Sequence, residues 1–328
     1  MSTTALKLVA LVFMALDHIG VFIPGMPIVL RWAGRLALPL FIFCTTEGFS
    51  HTHSKKQYML RLYLAGIFMD LLNRWVSGIG YTLSDFSPVK LGIDNNIFRT
   101  LFCISVLCFL IDSFQKKNSN RRKYLAAYCV WQASVYLFLE LLGKFLSPSP
   151  LSEEIVRFLP NLLGSVYYLE GGWVFLLLGV LLYLVKDNKK TLATGYLSFC
   201  AVYFAVTVTQ FLPRVLIKLQ YFAYILGNNG QTALSTTLSD FELTLYDFCM
   251  RHSGLATGYS SELNPFFTEY QWMMVGALPF LLAYNGKKGK GYKYFFYLFY
   301  PIHIYILYFI GGWIGAMSLS LIHISEPT

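Results

Sequence analysis

The sequence predicts an all-α fold, a polytopic transmembrane bundle of about nine helices with its N-terminus in the cytoplasm. Three observations carry that prediction. The 328 residues are 56% hydrophobic and 17% aromatic, and only 13% are Asp, Glu, Lys or Arg. A soluble domain carries roughly 25% charged residues, so about half the usual solvating charge is missing. The apolar residues fall into runs near the roughly 20 residues that a helix needs to cross a bilayer. The basic residues cluster between alternate pairs of those runs. This composition excludes a disordered chain, a collagen-like chain and a small disulfide-stapled domain.

Nine segments qualify as spans, at roughly 5–23, 28–50, 58–77, 96–115, 124–146, 166–185, 191–212, 270–285 and 293–317. The sixth is interrupted by Gly171–Gly172, and the eighth is short. The first is read as a span and not a cleavable signal, because no small-residue cleavage site follows it and a second long run comes at once. No internal repeat is visible, so the inverted-repeat signature of many secondary transporters is missing. One transmembrane domain over 1–319 is expected. The final stretch, SLIHISEPT at 320–328, fits no span and resembles translated sequencing-adapter sequence, so His323 and Glu326 are given no role.

Charge placement sets orientation. Lys55–Lys56, then Lys116 to Lys123, then Lys186 to Lys190, then Lys287 to Lys293 are each separated by two spans. With Lys7 and Arg61 these clusters hold 16 of the 26 basic residues, and the positive-inside rule makes their side cytoplasmic. Asp85, Asp94, Glu153, Glu154, Asp240, Glu242, Asp247, Glu262 and Glu269 gather on the opposite side. The net charge of +9 therefore reads as topology, and nucleic acid is not expected as a partner. Membrane lipid is. The longest outer loop, about 213–269, starts with an amphipathic stretch from Arg214 to Leu226. Its remainder reads as polar and turn-rich, with GNNG at 227–230, suited to a lid, an acceptor-binding surface or a structural cap. The six cysteines show no CxxC pair and no ligand spacing, so neither a disulfide nor a metal site is expected.

Ionisable groups inside spans cost roughly 2.5–3.5 kcal/mol each at the bilayer centre, and by default they mark function. They are Asp17 and His18 in the first span, Arg35 and Glu47 in the second, Arg61 and Asp70 in the third, and His303 in the last. At about 1.5 Å rise per residue, His18 and Arg35 lie at similar depth in the outer half of adjacent antiparallel helices. Asp17 beside Arg35 reads as an ion pair, either neutralising or functional. Glu47 and Arg61 lie near the cytoplasmic face and could pair across a short loop. His18 can accept a proton in a partly dehydrated site. Asp17 points about 100° away from it, so an orienting carboxylate would come from another helix, with Asp70 a candidate. A packed, hydrogen-bonded histidine is the plainer reading of His18, but His303 in YPIH strengthens the case for a polar chamber. Pro39 and Pro301 can kink helices around such a cavity. Lys7 lies three turns from His18 on the same face, so a phosphate-bearing donor held at the mouth could extend a reactive group inward. His51 and His53 read as surface residues. GKKGKG at 286–291 lacks Walker spacing, though its glycines and lysines could hold a phosphate.

LKLVALVFMALDHIG, GRLALPLFIF, EGFSHT and YMLRL, with PFLLAYNGKKG and KYFFYLFYPIHIYIL near the end, carry a family likeness. Over about the first 75 and last 50 residues the chain resembles the TraX family. Those proteins are associated with N-terminal acetylation of conjugative pilin, and they resemble the type-3 transmembrane acyltransferases. That wider group carries a basic residue, ten residues, then His, a spacing that Lys7 and His18 match. The resemblance implies an integral acetyltransferase of the bacterial cytoplasmic membrane. Its donor would be cytoplasmic acetyl-CoA, and no metal is implied. Its acceptor at the outer face would be the terminal amine of a pilin-like protein or a hydroxyl of an envelope glycan. His18 would be the base, with Asp17, Asp70 and His303 in the same site. Arg35 would serve the donor or the oxyanion. Lys7, Glu47, Arg61, Lys287 and Lys288 would line the coenzyme A site. Two rivals remain: a proton-coupled transporter using Asp17, His18, Asp70 and His303, and a non-catalytic membrane component of an export or conjugation apparatus.

Overall fold

The computed structural model describes residues 1–79, 93, 95–146, 155, 158–167, 169–255 and 259–325, without the side chains of 78, 79, 251, 293 and 316–325. Asp85, Asp94, Glu153, Glu154 and Glu326 lie outside the described residues, as does the side chain of His323. The helices are α1 (Thr3–Phe22), α2 (Val29–Gly34), α3 (Ala37–His51), α4 (Lys55–Ile79), α5 (Ile97–Gln115) and α6 (Arg121–Phe145). They continue as α7 (Gly172–Val185), α8 (Lys189–Val208), α9 (Phe211–Asn228), α10 (Thr232–His252), a 3₁₀ helix (Tyr270–Ala277) running into α11 (Leu278–Leu282), and α12 (Lys293–Ser325). No strand occurs among the described residues.

Among the described residues, six helical segments are long and apolar enough to cross a membrane: Thr3–Phe22, Val29–His51, Ile97–Gln115, Arg121–Phe145, Lys189–Val208 and Tyr294–Gly315. The chain is a multi-pass membrane protein. Three expected spans stand apart from these six. α4 has the length, at 25 residues, but carries Arg61, Asp70 and Arg74 along it. α7 begins only at Gly172, after Gly171 turns the chain with φ 75°, and so has 14 residues. The eighth is a 3₁₀ helix that becomes α-helical around Pro279. The outward faces are apolar, with Val12, Phe68, Trp75, Val130, Leu177 and Val202 more than half exposed. In hydrocarbon such faces need no polar cover, because each helix satisfies its own backbone.

α1 packs on α2, α3 and α12, while α3 contacts α5 and α7. The centre of that contact is closed by Leu6, Ala10, Leu40, Ile42, Phe43, Ile104, Leu178 and Met274, all fully buried or nearly so. Close approach uses small residues, as it does between membrane helices generally. A Cβ at Gly179 of α7 would stand 2.7 Å from the Ile104 side chain of α5.

The second expected span is broken at Arg35, between α2 and α3. Pro39 explains the break. It lacks the N–H that would bond the Arg35 carbonyl, and its ring crowds that oxygen. The chain tightens to three-residue bonds there, with Arg35 N donating to Trp32 O at 3.2 Å and Leu36 N to Ala33 O at 3.2 Å. The break carries the Arg35 side chain toward α1.

The long loop expected at about 213–269 is largely helical. α9 and α10 form an antiparallel hairpin around the GNNG turn. The Ser/Thr-rich stretch that read as turns is helical, and its hydroxyls are satisfied within the helix by bonding back to the preceding turn. Thr237 Oγ1 donates to Ala233 O at 2.8 Å and Thr244 Oγ1 to Asp240 O at 2.7 Å. Ser235 Oγ donates across the hairpin to Ala223 O at 2.7 Å. At the chain's end α12 runs on to Ser325, so 320–325 continue the last helix.

Candidate functional site

The start of α1 is capped by the loop that precedes α12. Thr3 N donates to Lys287 O at 2.8 Å, and Thr4 N donates to Lys288 O at 3.2 Å. Thr4 Oγ1 donates to Lys290 O at 2.6 Å and to Lys288 O at 2.9 Å. First-turn amide and hydroxyl donors thus find carbonyl acceptors in the GKKGKG segment. Gly289, at φ 78°, lies so near Ser2 that a side chain would collide with its hydroxyl. This clamp positions Lys288 and Lys290 beside Lys7.

Those three lysines line a cavity of about 480 Å³. α1 supplies Leu11 and Met14 to its wall, α3 supplies Cys44, Glu47 and His51, and α4 supplies Tyr58 and Arg61. Phe98 and Leu101 of α5 and Phe296, Tyr297 and Tyr300 of α12 complete the wall, with the Phe98 ring packed against those of Tyr297 and Tyr300. The basic groups thus stand with an apolar, aromatic interior. Lys7 Nζ lies 5.5 Å from the Phe296 ring centre.

The expected Glu47–Arg61 pair does not form. Glu47 Oε1 meets Lys186 Nζ at 3.4 Å, and its other oxygen meets His51 at 3.7 Å. Lys186 comes from the end of α7, whose approach to α3 no local spacing could reveal. Arg61 Nε is buried and has no hydrogen-bond partner among the described residues. Of the residues expected around the donor, Lys7, Glu47, Arg61 and Lys288 line the cavity. Lys287 does not, although its carbonyl accepts from Thr3 N in the adjoining clamp. Lys290 takes its place.

Tyr300 joins the cavity to the buried histidines. It lines the cavity, and its ring centre lies 6.4 Å from that of His18. Its hydroxyl accepts from Ile97 N at 3.3 Å. His18 and His303 are 5% and 8% exposed. His18 Nδ1 and His303 Nε2 are 2.7 Å apart, and His303 Nδ1 is 2.7 Å from Phe299 O. Asp70 is therefore not the partner of His18. Its near cation is Arg74, one turn along α4 at 4.0 Å, and the group oriented against His18 is His303. The proline before His303 breaks the regular α12 ladder, since Pro301 offers no N–H to the Tyr297 carbonyl.

Beyond His18, α1 meets the α2–α3 break. Asp17 Oδ1 accepts from Arg35 Nη2 and from Arg31 Nη1, the latter at 2.9 Å. Arg35 Nη1 donates to Gln271 Oε1 at 3.0 Å, and Arg31 Nε donates to Tyr270 OH at 3.2 Å. Gly34 permits this approach, since a Cβ there would collide with the Asp17 side chain. Both guanidiniums are near enough to act electrostatically on His18. Glu170 is a further, half-buried carboxylate, accepting from Asn96 N at 2.7 Å and Asn95 Nδ2 at 3.5 Å. Sequence reasoning paired Asp17 with Arg35 but missed Arg31, Gln271, Tyr270, Glu170 and Lys186. Arg31 had a usable signal: it precedes Arg35 by four residues and so shares its helix face.

The sequence profile of the family described as TraX protein matches residues 2–311. The chain belongs to the TraX family. The match takes in the middle of the chain, where the motif likeness was confined to the two ends. A curated relative of this TraX-family chain is the probable fimbrial assembly protein FimC, serogroup H1, of Dichelobacter nodosus, 25% identical over 155 residues. That alignment covers 44% of this chain and 62% of the relative, so the chain spans about six tenths of the relative's length. No solved structure matches the chain significantly.

Proposed function

We propose that this TraX-family protein is an acetyltransferase of the bacterial cytoplasmic membrane, with about nine spans and its N-terminus inside. It takes its acetyl group from cytoplasmic acetyl-CoA. The observation that carries the reading is the single cavity wall running from Lys7, Lys288, Lys290 and Arg61 to Tyr300, whose ring lies against His18. Basic side chains suit the phosphates of coenzyme A, where charge-assisted hydrogen bonds are about twice as strong as neutral ones. The apolar interior suits the donor's arm, and His18 suits removal of a proton from the acceptor. Arg31 and Arg35, held by Asp17, stabilise negative charge that develops as the acceptor attacks the thioester carbonyl.

The acceptor we infer is the terminal amine of a pilin-like protein, a reading supported by the fimbrial assembly name of the relative. A glycan hydroxyl at the outer face is the other acceptor that the same chemistry serves. The test is release of free coenzyme A from acetyl-CoA by the purified protein in lipid nanodiscs, with cell-envelope extract as mixed acceptor. Release is expected from the wild type and not from His18→Ala. No release from folded protein would overturn the reading and favour a proton-coupled transporter, which the buried histidine pair also suits.

A further inference from the structure

The hydrogen bonds of the histidine pair admit one proton arrangement when both rings are neutral. A backbone carbonyl can only accept, so His303 Nδ1, 2.7 Å from Phe299 O, carries a hydrogen. A neutral imidazole has one N–H, so His303 Nε2 holds a lone pair. His18 Nδ1, 2.7 Å away, must then donate to it. That leaves the lone pair of His18 on Nε2. Ring packing holds the relay in register, because the His303 ring stacks on Phe299 at 4.8 Å and 19° and meets His18 end to end, nearly coplanar, with ring centres 4.9 Å apart at 27°. Rotation of His303 would break both its stack and a hydrogen bond.

We propose that His303 and the Phe299 carbonyl are positioning groups that lock His18 in its Nδ1–H tautomer, making Nε2 the basic atom of the site. The lock stands on the hydrogen bonds alone, and its use in acetyl transfer rests on the function proposed above. In that use, the acceptor's N–H or O–H proton moves to His18 Nε2 as the acceptor forms its bond to the acetyl carbon. The C–S bond breaks, and coenzyme A leaves as thiolate. The Nδ1 proton can cross to His303 Nε2, so the gained charge is shared by two rings. The Nε2 proton then passes to the thiolate sulfur, and the pair returns to its starting state. His303 touches no reacting atom and acts through His18.

Solid-state NMR of the protein labelled with ¹³C,¹⁵N-histidine in lipid bilayers reads the tautomer directly. His18 is identified by the signals lost in His18→Ala. The lock predicts a protonated Nδ1 and an unprotonated Nε2 for His18 in the wild type. It predicts the same in His303→Gln, whose side-chain oxygen still accepts, and a change to the Nε2–H form in His303→Ala. A wild-type His18 protonated on Nε2 overturns the lock, as does a tautomer unmoved by His303→Ala. Should His303→Ala fail to fold, the wild-type and His303→Gln spectra decide alone. Coenzyme A release is expected to fall roughly tenfold in His303→Gln, which cannot share the proton, and on the order of a hundredfold in His303→Ala. The predicted tautomer without any coenzyme A release would sink the transferase reading and leave the lock standing. Release with the opposite tautomer would do the reverse.

Discussion

Two clusters of basic side chains sit on either side of the buried histidines, and their neighbours treat them differently. At the cavity, Lys7, Arg61, Lys288 and Lys290 line open space, and the carboxylate on the same wall, Glu47, pairs with Lys186 and His51 instead of with them. At the α2–α3 break, Arg31 and Arg35 converge on Asp17, and further donors go to Gln271, Tyr270 and the Arg31 carbonyl. Cations with room beside them and an unpartnered Arg61 Nε suit an anionic ligand that arrives from outside. Cations gathered around a carboxylate hold three chain segments in place, and two guanidiniums on one carboxylate keep the net positive charge that the proposed transfer uses. Charge counting cannot separate these two states; only the partners can.

The contrast can be broken in several ways. The largest effect is expected between the clusters: His18→Ala should lower the rate of coenzyme A release by on the order of 10²–10⁴, the usual contribution of a general base. The thermal midpoint of that variant, measured beside the wild type, shows whether folding is intact. Next comes the closed cluster. Asp17→Asn leaves two guanidiniums without their carboxylate and should cost about 3 kcal/mol, the lower end of what breaking a buried pair costs, because the groups keep some exposure. Gly34→Ala forces a methyl against the Asp17 side chain and should cost roughly 1–3 kcal/mol by overpacking, read as a lower melting temperature. The smallest effect belongs to the open cluster. Arg61→Gln should raise KM for acetyl-CoA roughly tenfold, about 1.4 kcal/mol, with kcat and melting temperature unchanged. A loss of stability in Arg61→Gln equal to that in Asp17→Asn would erase the distinction.

Much of the helical architecture was legible in the sequence, because a span of some twenty apolar residues is a local property. The helices Thr3–Phe22, Ile97–Gln115 and Arg121–Phe145 fall close to where hydropathy places them. The break at Arg35 was half legible, since Pro39 announced a kink but not which side chain it would re-aim. The α9–α10 hairpin was misread, because Ser and Thr signal turns by composition even where their hydroxyls bond within a helix. In the site, Asp17–Arg35 followed from depth on neighbouring helices. His18–His303 joins residues 285 apart, and Glu47–Lys186 joins α3 to the end of α7. Which helices become neighbours is set by packing of the whole bundle, so no spacing rule could choose His303 over Asp70. Glu170 was passed over because Gly171–Gly172 made its surroundings read as an interrupted span.

The central claim is that the open basic cavity holds the acyl donor, and equilibrium binding of acetyl-CoA to the protein in nanodiscs tests it most directly. Wild type, Arg61→Gln and the exposed Arg122→Gln would be compared at one ionic strength, the two variants having equal net charge. Saturable binding that weakens roughly tenfold in Arg61→Gln and holds in Arg122→Gln is the predicted result. Binding that is absent, or that both variants weaken equally, would contradict it.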